Sequence, residues 1–293
     1  MEQVKKWGKG TVSEKIVRIF AAIILNIWAI SLLYPLFFGF NAALKESGRE
    51  FMSNPVSLVF FNNPEWANFS RAFEEIAYNE VSFIRMAFNS LFFATIPNIV
   101  ALFFTALIGY IVCKYNKYRI MTHVYSLILL VTFLPIYGNL PATYKLFYQL
   151  GFFESYTIMI ASFGVSYGNF LYTHAFFKGV PWEYAESAFI DGAGHWRVFL
   201  KIMLPQIIPS LAVVFIGSFI ATWNDFQGCM LYHSETLPTL SFGIYVFYEK
   251  SIYMASQPIY MAACLLASLP SIILFLVFQK EMMTKLTFSG VKG

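Results

Sequence analysis

Apolar residues in this chain come in long runs rather than in the short periodic patterns of a soluble fold. A helix needs about 20 mostly apolar residues to cross a bilayer. Six stretches meet or approach that length, at about 17–40, 86–112, 120–140, 156–177, 207–230 and 260–279. Pro135, Asn139 and Pro141 break up the end of the third, and Ser162, Ser166 and Asn169 dilute the fourth. Polar and helix-breaking residues at membrane depth are tolerated where they face protein or a water-filled cavity, so these two are expected to line an interior. The pattern predicts an all-α integral membrane protein with six transmembrane helices. Residues 1–16 form an N-terminal segment, 17–279 the transmembrane domain with a polar loop at 178–206, and 280–293 a tail.

Composition agrees: 58% of the 293 residues are hydrophobic and 12% charged, with 33 Phe and 18 Tyr, against roughly 45–50% and about 25% in soluble domains. With the N-terminus inside, 14 of the 20 Lys and Arg residues fall on the cytoplasmic side and six on the outer side. The positive-inside rule therefore predicts a multi-pass membrane protein with both termini in the cytoplasm. The net charge of +4 becomes a topology signal, and no nucleic-acid partner is expected. The first apolar run is too long for the core of a signal peptide and lacks a small-residue cleavage site, so it is expected to stay. Cys113, Cys229 and Cys264 are scattered in apolar surroundings, which gives neither a metal site nor a disulfide framework.

One polar island interrupts the apolar chain, from Pro181 to Pro209. Pro181 suits a helix start, and Glu183 and Glu186 favour the positive end of that helix. Asp191 and Gly192 are expected to close it. A second helix should carry Trp196, Phe199, Leu200 and Met203 as one stripe, with Pro205 stopping the run. The small residues Ala185, Ser187 and Ala188 leave a face that would let another protein approach closely. Spacing alone does not separate this reading from an ordinary amphipathic loop.

The island resembles the cytoplasmic coupling loop of ABC importer permeases, which has the form E-A-A, then D-G-A, then L-P. Here it reads Glu186-Ser187-Ala188, Asp191-Gly192-Ala193 and Leu204-Pro205, with Ser187 in place of the usual alanine. Asn68-Phe69, Asn89-Ser90-Leu91, Leu150-Gly151-Phe152, Trp223-Asn224-Asp225-Phe226 and the final Leu269-Pro270 to Gly293 stretch extend the likeness over about residues 15–293. The pattern is that of carbohydrate importers, closest to the six-span permease of maltose transporters.

The resemblance implies a type I importer permease fold with a coupling helix between spans four and five. The implied partners are a sister permease in a heterodimer, two ATPase subunits and an extracytoplasmic solute-binding protein, all in a lipid bilayer. The chain has no G-x-x-x-x-G-K-[ST] phosphate loop, so it is not expected to be an enzyme. It would bind no cofactor itself, ATP and Mg residing on the partner ATPases. Glu183, Glu186, Ser187, Ala188, Asp191, Gly192, Ala193, Leu204 and Pro205 are the expected ATPase-coupling residues, with Glu186 meeting a basic residue. Sugars are held by aromatic faces, amides and hydroxyls, which makes Tyr137, Asn139, Tyr167, Asn169, Tyr172 and Trp223 candidate liners of the substrate path. Asn224 and Asp225 are also candidates, although helix–helix hydrogen bonding is the favoured role for both. A permease for another solute and a secondary transporter are the competing readings; the second should show related halves and intramembrane ions, and neither is visible. The outer loop at about 41–85 reads as a solvated connector or as a docking surface for an external partner.

Overall fold

The structure is a computed structural model describing residues 12–59, 63–134, 140–163, 167–254 and 256–286. Four of its helices are long and apolar enough to cross a membrane: Glu14–Ala43, Phe83–Lys114, His195–Trp223 and Gln257–Lys280. Side chains such as Ile24, Trp28, Ile99 and Val277 on them are exposed, as lipid-facing surfaces require, since lipid rather than protein would cover them.

The chain divides into two compact units, Met1–Ala72 with Lys250–Leu266, and Phe73–Glu249 with Ala267–Gly293. The first begins with helix α1 (Val12–Ala43) and a short α2 (Gly48–Ser53). The polar residues after α1 are not merely a solvated connector. Lys45 is fully buried, and its ammonium donates to the Asn54 carbonyl at the end of α2 (2.5 Å) and to Ser57 Oγ (2.8 Å). A buried charge is tolerated only with such partners. Asn68, also buried, donates from Nδ2 to the carbonyls of Ala43 (2.9 Å) and Lys45 (2.8 Å). Carbonyls at a helix C-terminus otherwise lack donors, so these contacts fold the segment back onto the end of α1.

The second unit is organised around α4 (Phe83–Lys114), whose 32 residues extend about 48 Å at 1.5 Å per residue. Helix α3 (Ala67–Glu75) leads to it through a hairpin, β1 (Ala77–Tyr78) and β2 (Val81–Ser82). Asn79 and Glu80 both have positive φ (44° and 66°), as a two-residue hairpin turn needs. Against α4 pack a 3₁₀ segment (Tyr156–Phe163), α7 (Tyr167–Lys178) and α10 (Leu204–Trp223). Between them run α5 (Arg119–Phe133), α6 (Leu140–Gln149), α8 (Glu183–Ile190) and α9 (His195–Val198). After α10 come α11 (Phe226–Tyr232), α12 (Leu240–Met254) and α13 (Gln257–Leu286).

Four features depart from the sequence reading. The third apolar stretch is a 15-residue helix, α5, and the fourth is a 3₁₀ segment followed by the 12-residue α7; neither is one unbroken spanning α-helix. The fifth ends at Trp223 rather than about 230, because Asp225 leaves the helix (ψ 93°) and caps α11. Pro205 does not stop a helix. His195 to Trp223 runs on past it through a π-helical turn at Phe199–Met203, just ahead of the proline, where a shifted hydrogen-bond ladder accommodates the missing N–H.

Asn89 and Ser90 of α4 are buried and hold the turn before α12. Asn89 Nδ2 donates to the Pro238 carbonyl (3.0 Å), and Ser90 Oγ accepts from Leu240 N (2.8 Å). Asn89→Leu strands the Pro238 carbonyl, so it should destabilise the fold by about 1–3 kcal/mol. The drop should show as a lower melting temperature in detergent, and an unchanged one would deny Asn89 this role.

Candidate functional site

The 178–206 segment is a helix–turn–helix packed on the Lys114 end of α4. Helix α8 opens with Glu183 and Glu186 in its first turn. It closes with Gly192 N donating to Phe189 O (3.0 Å) and Ala193 N donating to Ala188 O (2.9 Å). These two bonds form a Schellman cap, which places its C′ residue in the left-handed region, and Gly192 has φ +79°. Asp191 is the C-cap. The D-G-A triplet is therefore a helix terminator with a defined job for each backbone.

The two faces of α8 differ from expectation. Ala185 and Ala188 are buried against this chain's own Tyr110, Phe177, Val198, Phe199 and Met203, so the small-residue face packs inward rather than awaiting a partner. The outward face carries Glu183, Tyr184, Glu186, Ser187 and Ile190. Ile190 is 85% exposed. The expected four-residue stripe of the second helix splits likewise, with Phe199 and Met203 buried and Trp196 and Leu200 exposed. Ala193 and Leu204 are half-buried against the same cluster and Pro205 is exposed.

Two bonds fasten the segment to α4. The Lys114 ammonium donates to the Val180 carbonyl (2.5 Å), and the Tyr115 hydroxyl lies 2.8 Å from His195 Nδ1. The rings of Tyr110, Phe177, Trp182 and Phe199 fill the space beneath. Neither Lys114 nor Tyr115 was marked by any motif, since their partners lie 66 and 80 residues away.

At the Phe83 half of α4 lies a cavity of about 240 Å³, whose walls include Phe93, Pro97, Phe147, Thr222, Asp225, Tyr232, His233 and Thr239. Asp225 Oδ1 accepts from Gly228 N (2.9 Å). A Cβ at Gly228 would collide with that carboxylate, so a larger residue there would displace the cap. His233 stacks on Phe93 (centroids 4.4 Å apart) and bonds through Nδ1 to the Leu237 carbonyl (2.9 Å). Burial pushes the His233 pKa below its ordinary value, partly opposed by that bond. Glu154, at φ +52°, clamps the neighbouring turn: its Oε2 accepts from Glu235 N (3.1 Å) and Thr236 N (2.8 Å).

Among the substrate-path candidates, Asp225 lines this cavity. Trp223 is buried, its indole N–H donating to the Ala267 carbonyl (2.9 Å), which makes it a packing residue. Asn224 bonds its own helix at Ile220 O (2.8 Å) and Asp225 bonds Gly228 N (2.9 Å), so among the described residues both side chains bond locally rather than between packed spans. Asn169 donates to Ser218 Oγ (3.3 Å), and Tyr172 is exposed; neither reaches the cavity. Tyr137 and Asn139 lie outside the described residues, as does the Tyr167 side chain.

No protein-family model matches the chain. It is 29% identical over 277 residues to the maltodextrin transport system permease protein MdxG of Bacillus subtilis (strain 168), covering 92% of this chain and 95% of that protein. It is 29% identical over 212 residues to the arabinooligosaccharides transport system permease protein AraQ of the same organism, covering 72% and 74%. Its fold matches a chain of a bacterial ABC transporter involved in the import of the acidic polysaccharide alginate, with TM-score 0.75 at 20% identity, over 93% of this chain and 98% of that one. A multi-pass membrane protein is thus described, whose homologues are permease subunits of carbohydrate import systems and whose fold is that of an ABC importer permease.

Proposed function

We propose that the chain is the membrane permease subunit of an ATP-driven importer for a sugar or oligosaccharide. The observation that carries this is the capped helix α8, which presents Glu183, Glu186 and Ile190 outward on a segment fastened to α4. In this reading a groove on an ATPase subunit receives α8, the apolar Ile190 side chain being buried there and Glu186 facing a basic residue. Closure of the two ATPases around ATP and Mg then moves α8, and the bonds from Lys114 and Tyr115 transmit the movement to α4. The permease pairs with a sister subunit, and an external solute-binding protein delivers the sugar. Both termini and the 178–206 loop face the cytoplasm, with six spans completed by α5 and by the 3₁₀ segment with α7.

The direct test is purification of the tagged chain from its own membranes. An ATP-binding subunit should co-purify, and Glu186→Lys should reduce its recovery at least about ten-fold while the chain still inserts. Recovery of the chain with no ATP-binding subunit would reject the proposal. A C-terminal reporter active only outside the cytoplasm should stay silent; a strong signal would reverse the orientation.

A further inference from the structure

The cavity at the Phe83 half of α4 discriminates by charge. Its wall is rich in hydrogen-bond acceptors. Asp225 spends Oδ1 on Gly228 N, while Oδ2 makes no hydrogen bond among the described residues. Pro97 has no N–H to give the Phe93 carbonyl one turn back, as any other residue in α4 would, and both residues line the cavity. His233 donates from Nδ1 to Leu237 O, since a carbonyl only accepts; the neutral ring then keeps Nε2 as an acceptor. Burial favours that neutral form. Among the described residues lining the cavity there is no lysine or arginine. Phe93, Phe147 and Tyr232 supply aromatic surface.

A ligand for such a wall must bring many hydroxyl donors and an apolar face, and it must not bring a negative charge. We infer that this cavity binds one uncharged saccharide unit during import and selects against uronate or phosphate-bearing sugars. The inference rests on the permease reading and adds the charge class of the cargo. The volume of about 240 Å³ lies just below the ~300–1,000 Å³ of drug-sized ligand pockets, which suits a single ring rather than a whole oligosaccharide. A carboxylate brought beside Asp225, which lines the cavity, meets like charge, whereas a neutral hydroxyl meets an acceptor.

The test uses the complete transporter purified from its own host and placed in nanodiscs, without solute-binding protein, since that would bind sugar itself. Saturation-transfer NMR titrations would measure neutral trisaccharides (maltotriose, raffinose and cellotriose), trigalacturonate and the trimer of glucosamine. At least one neutral trisaccharide should bind at least about ten-fold more tightly than trigalacturonate, a difference of about 1.4 kcal/mol. Asp225→Asn, which keeps a capping acceptor for Gly228, should bring that ratio close to one. Binding of trigalacturonate as tight as any neutral probe overturns the inference. So do tighter binding of the cationic trimer, an unchanged ratio in Asp225→Asn, or no neutral probe binding at all. The ATPase content of the same preparation is read separately: its loss would strike the permease reading, whereas intact assembly with a failed titration rejects only the cavity.

Discussion

Gly192→Pro should abolish ATP-driven uptake, while the protein still reaches the membrane. Proline is locked near φ −65°, and Gly192 sits at +79°. The substitution also removes the N–H that Gly192 gives to Phe189 O. The Schellman cap then cannot close, and α8 loses the turn that ends it and leads the chain into α9. The effect is one of backbone rather than crowding, because a Cβ at this position has open space around it. That yields a graded series. Gly192→Ala meets only the left-handed penalty of about 1–2 kcal/mol, and Gly192→Asn meets less, since asparagine visits that region readily. Uptake should therefore rank glycine, asparagine, alanine, proline, and the same order should appear in ATPase recovery. Equal uptake by the proline variant would remove α8 from the coupling path.

The helix–turn–helix at 178–206 was legible because its signals are local: acids at a helix start, Asp-Gly at its end and an apolar flank on either side. The long spans were legible for a similar reason, since the bilayer demands about 20 apolar residues in a row. What stayed hidden depends on partners distant in sequence. Nothing near Lys45 in the chain announces that its ammonium will be buried between Asn54 and Ser57. Glu154 gave no sign that it would hold Thr236, 82 residues on. Two local signs were also ambiguous in themselves. Pro205 can end a helix or be carried inside one, and the π-helical turn just before it lets the helix run on. The alanines of α8 mark close packing, but the sequence does not say against what; the neighbours are Phe199 and Met203 of the same chain. Asp225 is the clearest case. Inside an apolar run an acid reads as an intramembrane charge, whereas the helix breaks just ahead of it and its carboxylate caps the next one.

Gly109→Leu should prevent the second unit from assembling at all. α4 crosses α7 here, and a Cβ on residue 109 would lie 2.6 Å from Thr173 Oγ1, 3.2 Å from Thr173 Cβ and 3.1 Å from the backbone nitrogen of His174. A side-chain tip could swing aside, but a helix backbone cannot do so without moving all of α7. Thr173 is itself fully buried, with its hydroxyl 3.3 Å from the Thr105 carbonyl and 3.0 Å from that of Phe170. Overpacking of this kind costs about 1–3 kcal/mol for an added methyl or so, and leucine adds three carbons beyond Cβ. The smaller Gly109→Ala should lower the melting temperature measurably without abolishing expression. Because its nearest clash is with the Thr173 hydroxyl, Thr173→Ala should recover part of that loss, so that the double variant is more stable than the two single effects added together. Additive losses would place the strain elsewhere. In the proposed permease the crossing should matter for transport as well as folding: α4 carries the Lys114 and Tyr115 anchors of the 178–206 segment at one end and Phe93 and Pro97 of the cavity wall toward the other. A variant that folds with the two helices wedged apart should therefore hydrolyse ATP in the assembled transporter yet import less sugar per ATP.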